Sequence, residues 1–104
     1  MSLVLVGDTR SRKLNERFRG KPYPTNILSF PLSDAEGELV LNLHRCEQEA
    51  VRSRVPLRHY VLYLLTHGML HLRGLDHGDK MATLEKKYLA PHVSKDFLTW
   101  LGTD

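Results

Sequence analysis

Hydrophobic and polar positions repeat with different periods along the chain, and the changes of period mark its elements. Leu3–Val6 is a short apolar run ended by Gly7, the pattern of a strand buried on both faces. Asp8 or Thr9 then stands where a helix cap belongs. The helix runs to about Phe18, with Leu14 and Phe18 stacked one turn apart. Pro22-Tyr23-Pro24 breaks it. Ile27–Phe30 reads as a second strand ending at Pro31, and Ser33–Gly37 as a polar turn. Leu39, Leu41 and Leu43 alternate as in a half-buried strand, and a helix of roughly Arg45–Arg54 follows, with Cys46, Ala50 and Val51 on its inner side.

The next helix is the most informative. Pro56 opens it, and it extends from about Leu57 to Arg73, where Gly74 ends it. Tyr60-Val61-Leu62-Tyr63-Leu64-Leu65 is apolar on every side, so this helix should cross the middle of the domain. A helix near Asp79–Leu89 puts Met81, Leu84 and Tyr88 on one face before Ala90-Pro91 stops it. Ser94 can cap a short final helix carrying Phe97, Trp100 and Leu101. Strands and helices in this mixture predict an α/β (α+β) fold, a small mixed sheet packed with helices around a central buried helix.

Composition narrows this to one domain over residues 1–104, since 104 residues are too few for two cores. Hydrophobic residues at 41% and charged residues at 26% suit a soluble globular protein. The single cysteine, Cys46, excludes an internal disulfide framework. No apolar run approaches the ~20 residues of a membrane span. Met1-Ser2 lacks the charged start of a secretory signal, so a cytoplasmic location and no membrane partner are expected. The net charge is +3, but Arg10, Arg12, Lys13, Arg17, Arg19 and Lys21 cluster before the first proline. Such a run is often a solvated helix face; beside a site it would also suit a polyanion such as RNA.

The chemistry concentrates in His67-Gly68-Met69-Leu70-His71-Leu72-Arg73-Gly74-Leu75-Asp76-His77. His67 and His71 share a helix face, and two imidazoles so placed can converge on one ion. Gly74 permits the left-handed turn that would bring His77 back as a third ligand. Three histidines with an open position form a catalytic rather than a structural zinc arrangement, and Asp76 is a nearby carboxylate to orient a ligand. Ordinary core histidines are the bland alternative, but unpaired imidazoles on a buried helix cost about 1–3 kcal/mol each. His44, His59 and His92 have no partner at ligand spacing and read as ordinary. Metzincin proteases share the His-x-x-x-His-x-x-Gly-x-x-His spacing, but their general base directly follows the first histidine, where this chain has Gly68.

The same segment closely resembles the His-Gly-x-Leu-His-Leu-x-Gly-Tyr-Asp-His signature of the YbeY family of rRNA maturation factors. Leu14-Asn15-Glu16-Arg17-Phe18-Arg19-Gly20-Lys21 and Pro24-Thr25-Asn26-Ile27-Leu28-Ser29-Phe30-Pro31 are similar to its Asn-x-x-Tyr-Arg and Pro-Thr-Asp-Val-Leu-Ser-Phe stretches. Gly37-Glu38-Leu39-Val40-Leu41 and the pair Met81 and Glu85 also fit, so the likeness runs in order from about Leu3 to Leu89, with residues 90–104 as a tail. The resemblance implies a metal-dependent, single-strand-specific endoribonuclease acting in 16S rRNA 3′-end maturation and ribosome quality control. Its partners would be rRNA and the small ribosomal subunit. It further implies one Zn2+ per chain on His67, His71 and His77, a catalytic part for His67 and Arg19, and contact of Arg19, Thr25 and Ser29 with substrate.

Family members usually carry some fifty further residues before the strand at Leu3, so an uncovered sheet edge or apolar face is expected here, with the oligomeric state open. Asn26 and Glu38 replace the commoner aspartates, and the spacer between His77 and Met81 is short. The competing expectation is a ribosome-associated RNA-binding factor with a structural metal and little nuclease activity. Three histidine ligands rather than four favour the enzyme.

Overall fold

The computed structural model describes residues 1–33, 36–75 and 78–101. Among them run β1 (Ser2–Val6), α1 (Asp8–Arg19), β2 (Ile27–Pro31), β3 (Gly37–Asn42), α2 (Leu43–Ser53), α3 (Leu57–Leu72), α4 (Asp79–Leu89) and α5 (Lys95–Trp100). This is the α+β arrangement expected: a small mixed sheet with helices packed on it. The strand order is β1-β3-β2, with β1 parallel and β2 antiparallel to β3.

Topology reverses the burial expected of two strands. β3 lies in the centre, and Leu39, Val40, Leu41 and Asn42 are all buried, so it is covered on both faces rather than half-buried. Leu43, expected to continue its alternation, already begins α2, whose first turn is capped by the Asn42 side chain accepting from Arg45 N–H. β1 is an edge strand, and Leu3 and Leu5 are 50% and 61% exposed, against the expectation of burial on both faces. Register explains this. Leu3 and Leu5 pair with Leu39 and Leu41, which pair in turn with Ser29 and Ile27, so these six share one face of the sheet. α3 packs on that face over β2 and β3, leaving the β1 end uncovered.

α3 is the central helix. Tyr60 and Leu64 join Leu41, Cys46, Ala50 and Phe97 in the main core, and Gly68 and Leu70 are buried further along. The approach to the sheet is close: a Cβ on Gly68 would lie 2.9 Å from Leu39 Cδ2, 3.0 Å from Ser29 Oγ and 3.3 Å from Ile27 Cδ1. A side chain here would have to displace the tips of these residues, buried Leu39 among them, so glycine lets helix and strand pack closely. His59, read as ordinary, is buried edge-on to Phe97 with ring centroids 5.6 Å apart.

The inner faces of α2 and α4 differ from the sequence expectation, and α1 buries a polar pair. In α2, Cys46 and Ala50 point inward but Val51 is 78% exposed. In α4 the buried set is Met81, Glu85 and Leu89, one residue round from the expected Met81, Leu84 and Tyr88; Tyr88 is 47% exposed. In α1 the buried residues are polar, Ser11 and Asn15, while Phe18 stays 55% exposed and meets Phe30 edge-on at 5.0 Å. Gly7, without a side chain to cap it, precedes α1 in place of the expected Asp8 or Thr9. α5 follows the expected Ser94 cap and delivers Phe97 to the core, with Trp100 packed at 5.2 Å on Phe97 and 5.9 Å on Tyr60.

Candidate active site

The buried polar side of α1 shapes the first wall of the site. Ser11 Oγ donates to the Thr25 carbonyl and accepts from Thr25 N–H, both at 2.9 Å. Asn15 Nδ2 donates to the Tyr23 carbonyl at 2.8 Å. The segment broken by Pro22 and Pro24 cannot pair with a strand, and α1 supplies its partners instead. α1 stops at Arg19 because Gly20 turns left-handed at φ 69°, with Gly20 N–H donating to Glu16 C=O at 3.0 Å and Lys21 N–H to Asn15 C=O at 3.3 Å. The other end of the loop is held at Asn26, whose Nδ2 donates to Glu49 Oε1 at 2.8 Å; Tyr60 Oη donates to the same oxygen at 2.7 Å.

β2 is the sheet's other edge, and α3 forms the second wall. Between them lies a cleft of about 790 Å3. Side chains from both faces of β2 line it (Ile27 and Ser29 from one, Leu28 and Phe30 from the other), so its floor is the open edge of the strand. Arg19, Thr25 and Ser29 line this cleft together with His67 and His71. Five of the seven residues singled out from the sequence therefore share one cavity. The other two, Asp76 and His77, lie outside the described residues.

At the α3 wall the Nε2 atoms of His67 and His71 are 3.1 Å apart, with ring centroids at 4.6 Å. Two ring nitrogens in this contact need a positive centre between them, either a proton on one or an ion shared by both. A tetrahedral ion bound at about 2.0–2.1 Å separates two ligands by roughly 3.3 Å, so the pair fits one with little movement. Gly74, at φ 84°, makes the left-handed turn expected after α3.

Sequence reasoning did not assign Glu85 a place in the site. It sits on the buried face of α4 at 7% exposure, and its Oε2 lies 3.1 Å from His67 Nδ1. The Tyr63 ring lies 5.8 Å from that of His67. Burial pushes the Tyr63 phenol pKa up, and the Glu85 charge adds to it. The signal for Glu85 was a carboxylate four residues after Met81 and four before Leu89, on an otherwise apolar helix stripe.

Taken together, fold and cleft define an α+β protein with a histidine pair at the end of its central helix and a basic, aromatic rim opposite. Its relatives make the assignment specific: the family described as Endoribonuclease YbeY matches residues 1–93, and the chain belongs to that family. It is 41% identical over 98 residues to Endoribonuclease YbeY of Aromatoleum aromaticum, covering 86% of this chain and 64% of that protein. To the Chromobacterium violaceum protein of the same name it is 44% identical over 85 residues, covering 74% and 51%. The solution structure of TM1509 from Thermotoga maritima superimposes with a TM-score of 0.65 at 33% identity, over 84% of this chain and 63% of that one. The chain thus spans between half and two thirds of the length of these relatives. Among the described residues no helix is long and apolar enough to cross a membrane.

Proposed function

We propose that this protein is a metal-dependent endoribonuclease that cuts single-stranded RNA in the cleft between α1 and α3. The observation that carries the reading is the pair of facing Nε2 atoms, 3.1 Å apart, in the same cleft as Arg19. His67, His71 and His77 would hold the ion, zinc being the best match to an imidazole set. The chemistry it supplies when bound is Lewis-acid activation of water and of the phosphate.

The chain's own groups do the rest. Arg19, at the exposed end of α1, presents a permanently charged, two-pronged guanidinium for phosphate oxygens. Phe18, half exposed beside it with the Arg17 guanidinium carbon 5.2 Å from its ring centroid, offers a face on which an unpaired base can stack. A duplex holds its bases inside and offers no such contact, which is the basis of the single-strand preference. Thr25 and Ser29 place hydroxyls along the cleft for the sugar-phosphate chain. The endoribonuclease activity named for the family and this cleft together support cleavage of RNA. We assign that cleavage to small-subunit 16S rRNA 3′-end maturation and ribosome quality control in the cytoplasm, with rRNA and the small ribosomal subunit as partners, on the family resemblance of the histidine motif alone.

The test is zinc content together with cleavage of single-stranded RNA, using His71→Ala as control. The expected result is about one zinc per chain and chelator-sensitive cleavage, both lost in His71→Ala. Full metal occupancy in His71→Ala overturns the ligand assignment. Wild-type protein that binds zinc and RNA but cuts nothing is the binding factor instead.

A further inference from the structure

We infer that Glu85 is a positioning residue for His67: it holds the Nδ1–H of that imidazole and so aims the Nε2 lone pair at the point His71 faces. This rests on the metal reading above for its purpose, though the contact itself does not. The observations are the 3.1 Å separation of Glu85 Oε2 and His67 Nδ1, the burial of Glu85 at 7% exposure, and the opposite ring nitrogen meeting His71 at 3.1 Å.

The chemistry follows from what each group can do. A carboxylate only accepts, so in this contact the proton sits on His67 Nδ1 and donates to Glu85. A neutral imidazole carries one ring proton, which leaves Nε2 as an acceptor or ligand. An isolated imidazole on a helix would exchange its two tautomers and swing about its side-chain bonds. Glu85, fixed by Met81 and Leu89 packing one turn to either side, removes both freedoms. A carboxylate behind a ligating histidine also makes that ligand more basic, and losing such a partner costs about 10–100-fold in metal affinity. The cost of burying this carboxylate is offset by the charge-assisted hydrogen bond to His67.

The experiment uses the whole 104-residue chain, labelled with nitrogen-15 at histidine. Long-range proton–nitrogen spectra of the zinc-free protein at about pH 8.5, where an ordinary imidazole is neutral, read the tautomer of His67 directly. Competition with a chromogenic chelator reads zinc affinity. Wild type should show His67 as the Nδ1–H tautomer. Glu85→Leu, which keeps the volume but not the acceptor, should lose that preference and bind zinc about 10–100-fold more weakly. Glu85→Gln still presents an acceptor oxygen, so it should keep the tautomer and lose affinity by less than about tenfold. Should Glu85→Leu fail to fold, the wild-type tautomer and the partial loss in Glu85→Gln carry the test. A wild-type His67 protonated on Nε2, or unchanged tautomer and affinity in Glu85→Leu, overturns the inference. A wild type that takes up no zinc but whose His67 tautomer depends on Glu85 supports the hold of Glu85 on His67 and overturns the metal reading alone.

Discussion

The two walls of the cleft are anchored by opposite means. α1 holds its side through hydrogen bonds from Ser11 and Asn15, buried at 1% and 0% exposure, to the main chain of the loop beneath. α3 holds its side chiefly by apolar contact and by close approach to the sheet at Gly68, with Tyr60 and His67 adding hydrogen bonds to Glu49 and Glu85. Hydrogen bonds are directional and local, so α1 sets the angle of one loop and the position of Arg19. Dispersion contacts are weak singly and numerous, so α3 sets the depth of the histidine pair within the whole core. Under the proposed function, a metal-ligand pair set beside a mobile polyanion would gain from this division. The ligands need a rigid bed, while the substrate side needs an exposed charged rim whose backbone is nonetheless fixed.

Substitutions on the two walls should therefore fail differently. The largest effect is expected at Arg19, where replacing it by alanine should lower RNA cleavage by about 10²–10³ while zinc content and thermal midpoint stay at wild-type values. Arg19→Lys should recover little, because charge without the two-pronged geometry does not replace the guanidinium. Wild-type cleavage rates in Arg19→Ala would place the substrate elsewhere.

On the other wall, Gly68→Val forces branched carbons into the space of Leu39 and Ser29 and should cost up to about 3 kcal/mol in urea unfolding. Zinc binding should weaken with it, since His67 is the adjacent residue. An unchanged unfolding midpoint would mean that helix and sheet are not in the close contact described.

Ser11→Ala should cost about 1–2 kcal/mol, as Thr25 N–H and C=O each lose their partner. It should lower cleavage but leave zinc affinity intact, whereas Gly68→Val weakens zinc binding itself. Equal damage to zinc affinity would show the walls to be one cooperative unit.

The smallest effect is a pH dependence confined to the apolar side. Burial, and next the Glu49 carboxylate, push the Cys46 thiol from 9.0 to about 11, and burial and the hydrogen bond to Glu49 push the Tyr60 phenol up as well. Both acids are held neutral more firmly in the folded than in the unfolded chain, so the unfolded chain releases protons first and stability falls as pH rises from about 9 to 11. In Cys46→Ala the decline should be shallower, measured as the urea midpoint against pH. A decline equally steep in Cys46→Ala would assign it to other groups.

Much of the site was legible in the chain because it depends on local geometry. His67 and His71 face one another because residues four apart on a helix share a face, whatever surrounds them. Gly74 turns left-handed and Ser94 caps α5 for reasons contained within a few residues of each. Pro56 starts α3 by the same kind of local constraint. Tertiary structure alone decided which surfaces are covered. β1 and β3 carry similar apolar runs, and only the strand order places β3 in the middle and leaves Leu3 and Leu5 at an edge. A rotation of about 100° per residue separates the Met81-Leu84-Tyr88 face from the Met81-Glu85-Leu89 face, and contact with α3 selects the second. That choice brings Glu85 to His67 across eighteen residues of chain. Periodicity reports the shape a segment prefers; the partner it meets is set by what the rest of the chain packs against it.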